Sequence, residues 1–173
     1  MSTGSRPEQA ALTRDNDLSK TEETRKVIED MVDGLNDHRI EDIGEFFADN
    51  FTWYGNAGCG VKRGLKAFQN GWQRPFQRAF SDKICTDEAR LAEGQWMAAF
   101  GHQKAKHTGT FMGIAPTGIE VEIRYMDFWK VVDGKIVDNY VMVDFPHVMR
   151  QLGVDPFDGK GWDAFGAGFE PTD

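Results

Sequence analysis

The stretch Ile119–Gly134, IEVEIRYMDFWKVVDG, decides how the rest of the chain is read. Taken every second residue it gives Ile119, Val121, Ile123, Tyr125, Asp127, Trp129 and Val131, an apolar row interrupted by one carboxylate. An ionised carboxyl in such a row is strongly disfavoured unless it gains a hydrogen-bond donor, holds a proton, or faces a polar cavity. Each of those outcomes suits acid–base chemistry, as in the handling of aspartic acids by ketosteroid isomerase. The plainer alternative is an edge strand that lets Asp127 reach solvent or bond to Tyr140.

The row ends in Val132-Asp133-Gly134-Lys135, and an Asp-Gly pair between alternating strands is the strongest short-range hairpin signal. A type I′ loop sets Val132 opposite Lys135. Regular pairing from there places Asp127 opposite Tyr140, Tyr125 opposite Met142 and Ile123 opposite Asp144, although a bulge would reverse part of this register. Asp144, two residues before Pro146, fits an N-cap for a last helix over 145–152 closed by Gly153, as well as a site residue.

Upstream, strands are expected over 83–92 and 95–107 around the turn residues Glu93 and Gly94. Before them the period is helical. Ser19 followed by Glu22 has capping-box spacing, and Val27, Ile28, Met31, Val32 and Leu35 share one face of a helix ending near Asn36–His38. A short helix over 41–48 and the aromatic strand FTWYGN follow. Leu65, Phe68, Trp72, Phe76 and Phe80 then mark a third helix that Pro75 should bend or split. Helices first and hairpin-linked strands afterwards predict an α+β domain with helices on one face of an antiparallel sheet.

With 173 residues and 40% hydrophobic content, the chain can bury one core without disulfides or a metal. We read residues 1–18 as a flexible N-terminal segment, 19–153 as the domain and 154–173 as a Gly- and aromatic-rich tail. A formal charge of −8, with no long basic cluster, disfavours nucleic acid. The sequence contains neither a signal-peptide core nor a spanning segment, so no membrane partner and a cytoplasmic location are expected. Cys59 and Cys85 match no metal spacing and read as free thiols.

His102 and His107 are an odd number of residues apart and would face opposite sides of a regular strand, so a shared metal site is not expected. His107 stands where a strand enters the loop HTGTFMGIAPTG, a position from which a histidine reaches ligands. No nucleophile elbow, Walker loop or Rossmann loop is present. The aromatics Trp53, Tyr54, Trp72, Phe76 and Trp129 fit a core, and equally the lining of a pocket for a flat apolar ligand.

FFADNFTWYGNAGCGVKRGLKAF, HTGTFMGIAPTG and MDFWKVVDGKIVDNYVMVD with VMRQLG, in this order after a helical start, resemble the SnoaL-like polyketide cyclase family over about residues 20–153. That family is a branch of the nuclear-transport-factor-like superfamily that includes ketosteroid isomerase. The resemblance implies a cone-shaped fold, a curved antiparallel sheet wrapped round N-terminal helices with one deep apolar pocket, and homodimers through the sheet. It implies closure of a ring in a polyketide ester by intramolecular aldol condensation without metal or organic cofactor. A pocket aspartate acts as acid and base in that family, with a histidine assisting, and Asp127 and His107 occupy the matching phrases. The expected ligand is a small hydrophobic carbonyl compound, walled by Trp53, Tyr54, Trp129, Tyr140 and Met142, with Tyr125 as a donor and Asp144 matching the family's following aspartate. A non-catalytic ligand-binding or dimerising module on the same fold is the alternative.

Overall fold

The computed structural model of the protein describes residues 18–37 and 42–162. The N-terminal segment up to Asp17, His38, the expected helix start at Glu41 and the tail from residue 163 onward lie outside the described residues. Six strands form one curved, unclosed sheet: β1 (Phe47–Tyr54), β2 (Val61–Arg63), β3 (Phe80–Glu93), β4 (Trp96–His107), β5 (Glu120–Val132) and β6 (Lys135–Val143). Their order across the sheet is β2-β1-β6-β5-β4-β3. The expected α+β class is therefore found, with one correction: β1 runs parallel to β6, so the sheet is mixed. The chain reaches β6 from β1 only after the helices and three long strands, a crossover that permits parallel pairing.

The quoted stretch forms β5 and alternates as read. Val121, Ile123, Tyr125, Trp129 and Val131 are buried, while Met126 and Phe128 on the other face are exposed. The hairpin turn has Asp133 at φ 49° and Gly134 at φ 71°, the two positive angles of a type I′ loop, and Val132 pairs with Lys135. The register expected beyond it is overturned. Val131 pairs with Ile136 but Lys130 pairs with Asp138, so Val137 is an extra residue and every later pair shifts by one. Asp127 lies opposite Val141, Phe128 opposite Tyr140 and Met126 opposite Met142. The physical reason is the content of β6. Uninterrupted alternation from Ile136 would bury Asp138, Tyr140 and Met142, whereas the bulge buries Asn139, Val141 and Val143.

Helix α1 spans Leu18–Asn36, so Ser19 sits inside its first turn rather than ahead of it. Its inner face, with Ile28, Met31 and Val32, packs on the sheet. The Thr24 hydroxyl donates to the Gly94 carbonyl at 2.7 Å, and Gly94 N–H donates to Thr21 Oγ1 at 2.9 Å. Two threonines thus satisfy both backbone groups of the β3–β4 turn residue and fix the helix on the sheet. The second expected helix is a single 3₁₀ stretch, Asp42–Phe46. The third is one helical run with a π-turn inside it: α2 (Leu65–Phe68), the π segment Gln69–Gln73, and α3 (Arg74–Ala79). Pro75, which lacks an N–H, falls directly after the widened turn, where the regular bonding ladder is already interrupted. Helix α4 (Phe145–Gln151) closes the fold, and Gly153 follows at φ 82°.

Gly101 on β4 marks the closest approach within the sheet. A Cβ there would lie 2.1 Å from the Thr86 carbonyl oxygen and 2.8 Å from Asp87 Cα, beside the irregularity of β3 between Asp87 and Ala89. These are backbone atoms that cannot rotate aside. Gly101→Ala is expected to lower stability by about 1–3 kcal/mol in urea denaturation, the usual cost of overpacking; an unchanged midpoint would contradict this packing.

Candidate active site

Asp127 lies on the inner face of β5 and opens onto a cavity of about 120 Å³ between the sheet and the helices. Aromatic, aliphatic and amide side chains share the walls. Trp53 of β1 stacks on Trp72 of the π segment at 4.8 Å, and Trp72 stacks on Phe76 of α3 at 4.8 Å. Phe68 and Trp129 add further apolar surface. Trp72 and Gln73, both in the π segment, line the same space.

The bulge in β6 supplies what Asp127 needs. Asn139 Nδ2 donates to Asp127 Oδ1 at 2.9 Å and is itself buried. Burial nevertheless dominates, pushing the Asp127 carboxyl up to about 7, with the Asn139 bond opposing and the Asp87 carboxylate reinforcing the rise. Asp87 accepts hydrogen bonds from the Tyr125 hydroxyl and, at 2.5 Å, from Arg90 Nε. Burial, followed by that bond to Asp87, drives the Tyr125 phenol far above its ordinary range, so it remains protonated. Cys85 is pushed up by burial to about 11 and stays a thiol. Lys83, also on the cavity wall, is pushed down by burial to about 8. Oε1 of Gln73 and of Gln103, both residues of the cavity lining, have no hydrogen-bond partner among the described residues. A carboxyl poised near neutrality among stacked rings can take a proton from carbon and return it.

The structure gathers Asp127, Tyr125, Trp129 and Trp53 around this cavity. It separates the other residues singled out in the sequence. Tyr140 (43% exposed) and Met142 (62%) stand on the outer face because of the bulge, and Tyr54 stacks there on Tyr140 at 4.3 Å and 3°. Asp144 caps α4, accepting from His147 N–H at 3.0 Å, and pairs with Arg124 at 2.9 Å. His107 is fully buried but does not line the cavity. It pairs with Phe80, whereas Asp127 pairs with Ala99, eight positions back along β4. That separation is roughly 26 Å along the strand at about 3.3 Å per residue.

His107 has a different set of contacts. Its Nδ1 accepts from Thr117 N–H at 3.3 Å and lies 3.1 Å from Thr117 Oγ1, while its backbone bonds Ile119 and Gly118 across the neck of the loop. Burial lowers its pKa, with the Gly109 carbonyl opposing, so the ring is neutral at pH 7. Gly109 packs so closely on the Arg78 carbonyl that a Cβ would sit 2.1 Å from it. The HTG and PTG phrases thus clamp the loop to itself and to the end of α3. Sequence reading missed Asn139, Asp87, Lys83, Gln73 and Gln103. The only available signal for Asn139 was that β6 alternates badly around Asp138.

Among the described residues no cluster of three or more His, Cys, Asp or Glu side chains is placed to hold a metal, and no helix is long and apolar enough to cross a membrane. A family model for SnoaL-like polyketide cyclases matches residues 25–152. The chain is 32% identical over 136 residues to the nogalonic acid methyl ester cyclase of Streptomyces nogalater, covering 76% of this chain and 98% of that protein. It is 28% identical over 136 residues to the aklanonic acid methyl ester cyclase DauD of Streptomyces sp. (strain C5), covering 76% and 83%. Among solved structures, IdmH, a putative polyketide cyclase from Streptomyces antibioticus, superposes with a TM-score of 0.66 at 24% identity, covering 76% of this chain and 99% of that one.

The raised pKa of Asp127 has a signed consequence for stability. Between the ordinary value of 3.8 and about 7 the folded state holds a proton that the unfolded state has released, so this group makes stability fall as pH rises through that window. Asp127→Asn removes the penalty and keeps an oxygen that can accept from Asn139. It is expected to stabilise the protein by on the order of a few kcal/mol at pH 8 and negligibly at pH 4, read by urea denaturation at both pH values. Equal effects at the two pH values would contradict the burial of this charge.

Proposed function

The chain belongs to the SnoaL-like polyketide cyclase family, and from that premise we propose that it closes a ring in a polyketide-derived ester by cofactor-independent acid–base catalysis at Asp127. The observation that carries this reading is the Asp127 carboxyl facing an aromatic cavity, bonded to Asn139 and held near neutrality by burial. In the ionised form it takes the proton α to the ester carbonyl. The resulting enolate attacks a second carbonyl carbon of the same molecule, one carbon–carbon bond forms, and the new alkoxide recovers the proton from Asp127. The sum is an isomerisation with no leaving group.

A cavity of about 120 Å³ is comparable to the roughly 150 Å³ that accommodates benzene in an engineered protein core. We infer that the reacting end of the substrate enters and that any further rings remain at the mouth. Stacked Trp53, Trp72 and Phe76 suit a flat conjugated ring. His107 enters this proposal as the clamp of the 107–118 loop, not as a group on the substrate, because it does not line the cavity.

We also propose that the protein is a homodimer through the outer face of the sheet. Trp96, Phe100, Met126, Phe128, Tyr140 and Met142 are all exposed there, a broad apolar surface that a second copy would cover. The two free thiols, Cys59 and Cys85, suit a cytoplasmic setting. A charge placed in the middle of this face, Phe128→Lys, is expected to convert the dimer to monomer in light scattering; an unchanged mass, or a monomeric wild type, would contradict this interface.

The catalytic reading is tested with aklanonic and nogalonic acid methyl esters as substrates. Asp127→Asn is expected to lower kcat by about 100- to 10,000-fold with KM little changed. For the wild type the rate should rise with pH through about 7, as Asp127 becomes the ionised base. A variant that keeps the full rate removes Asp127 from the chemistry.

A further inference from the structure

We propose that Lys83 is the cationic partner of Asp127, its ammonium holding the substrate oxygen that becomes negative when the proton leaves carbon. The proposal deepens the cyclase reading and rests on it for the identity of that oxygen. Its chemical content is wider: the cavity is built to take an enolate or phenolate oxyanion at the β3 side.

Lys83 alternates with Cys85 and Asp87 along the inner face of β3, and it lines the same cavity as Asp127. Its Nζ sits 5.0 Å from the centroid of the Phe76 ring, which is another wall of that cavity. A cation over an aromatic face gains modestly from the ring, not enough to replace a counter-ion. Among the described residues no carboxylate lies within ion-pair distance of Lys83.

Lys83 also borders an open surface pocket with Ser81 and Asp82, but the groups it meets on the cavity side are not free anions. On β3, Cys85 stays a thiol, and Asp87 is engaged by Tyr125 and Arg90. On β5, Tyr125 stays protonated and Asp127 bonds to Asn139. The helical run contributes Gln73, Phe76 and Gln77, and α1 contributes Met31 and Leu35, all uncharged. Lys83 and Asp127 stand on the wall of the same cavity, on β3 and β5 respectively. The ammonium and the carboxyl therefore share one cavity without touching.

Lys83 is half-buried, and an ammonium partly withdrawn from water without a counter-ion is stabilised by an anion that binds beside it. Burial lowers the Lys83 pKa to about 8, which keeps it mainly protonated at pH 7 while making it an efficient proton and charge partner there. A preorganised cation beside the position where negative charge develops lowers the barrier to enolate formation, and the low dielectric of a largely enclosed cavity strengthens the interaction. Asp127 supplies the base and Lys83 the site for the oxygen. The enolate electrons remain on the substrate and the proton on Asp127, so nothing else need enter.

The test uses 4-nitrophenol, a single-ring phenol whose ionised form absorbs in the visible, titrated at pH 7 against the full chain. Wild type should bind the phenolate and raise its ionised fraction. Lys83→Met should lose at least tenfold in affinity and leave the bound probe neutral, Lys83→Arg should keep most of the binding, and Asp127→Asn should bind more tightly because a negative neighbour is gone. Lys83→Gln serves as a second neutral variant if Lys83→Met fails to fold. Affinity and ionised fraction unchanged in the neutral variant would overturn the proposal. So would borohydride trapping of the ester substrate on Lys83, which would make the amine a nucleophile. Because nitrophenol is not turned over, Lys83-dependent binding without ester cyclisation would sink the cyclase reading and leave the oxyanion site standing.

Discussion

The hydrogen bond from Asn139 to Asp127 is the contact on which the site depends, and it exists because β6 carries one extra residue. Without Val137 out of register, Tyr140 rather than Asn139 would turn inward, and the carboxyl would face a bulky ring instead of an amide donor. The bond stabilises the ionised form without cancelling the cost of burial, so the carboxyl settles near neutrality instead of near its ordinary value. A full ion pair in its place would have lowered the pKa and removed the basicity. A wholly apolar surround would have left the group protonated at every physiological pH.

The same bulge sorts the two faces of the sheet. Inward it delivers Val141 and Val143 to the core beside Trp129 and Ile123; outward it gathers Tyr140 and Met142 with Met126, Phe128 and Trp96. One inserted residue thus couples the chemistry of the inner face to the apolar character of the outer face. The helical run completes the inner side. Its π-turn immediately precedes Pro75 and carries Trp72, which stacks with Trp53 and Phe76.

Much of the fold was legible because alternation and helical period are local. The period of β5, the Asp-Gly turn, the face of α1 and the interrupted third helix all follow from neighbours in sequence. Three features were not legible, for physical reasons that are non-local. The bulge answers to the burial of valines two strands deep, so the register past Val131 could not be counted from the turn. The parallel pairing of β1 with β6 joins segments about ninety residues apart. Lys83 reads as an ordinary strand lysine until Phe76 and the cavity are placed beside it. His107 shows the converse: a histidine at a loop edge suggests a ligand contact, but its Nδ1 is taken up by Thr117 in closing that loop, and its Nε2 is buried with no hydrogen-bond partner among the described residues.

One carboxyl is kept out of water beside a cavity, and carboxyl-carbon NMR of Asp127 in the unliganded protein measures this directly. It should titrate near 7 in the wild type, and higher in Asn139→Ala, where the one hydrogen bond that favours ionisation is lost. Titration near 4 in the folded wild type, or no change on removing Asn139, would contradict the account.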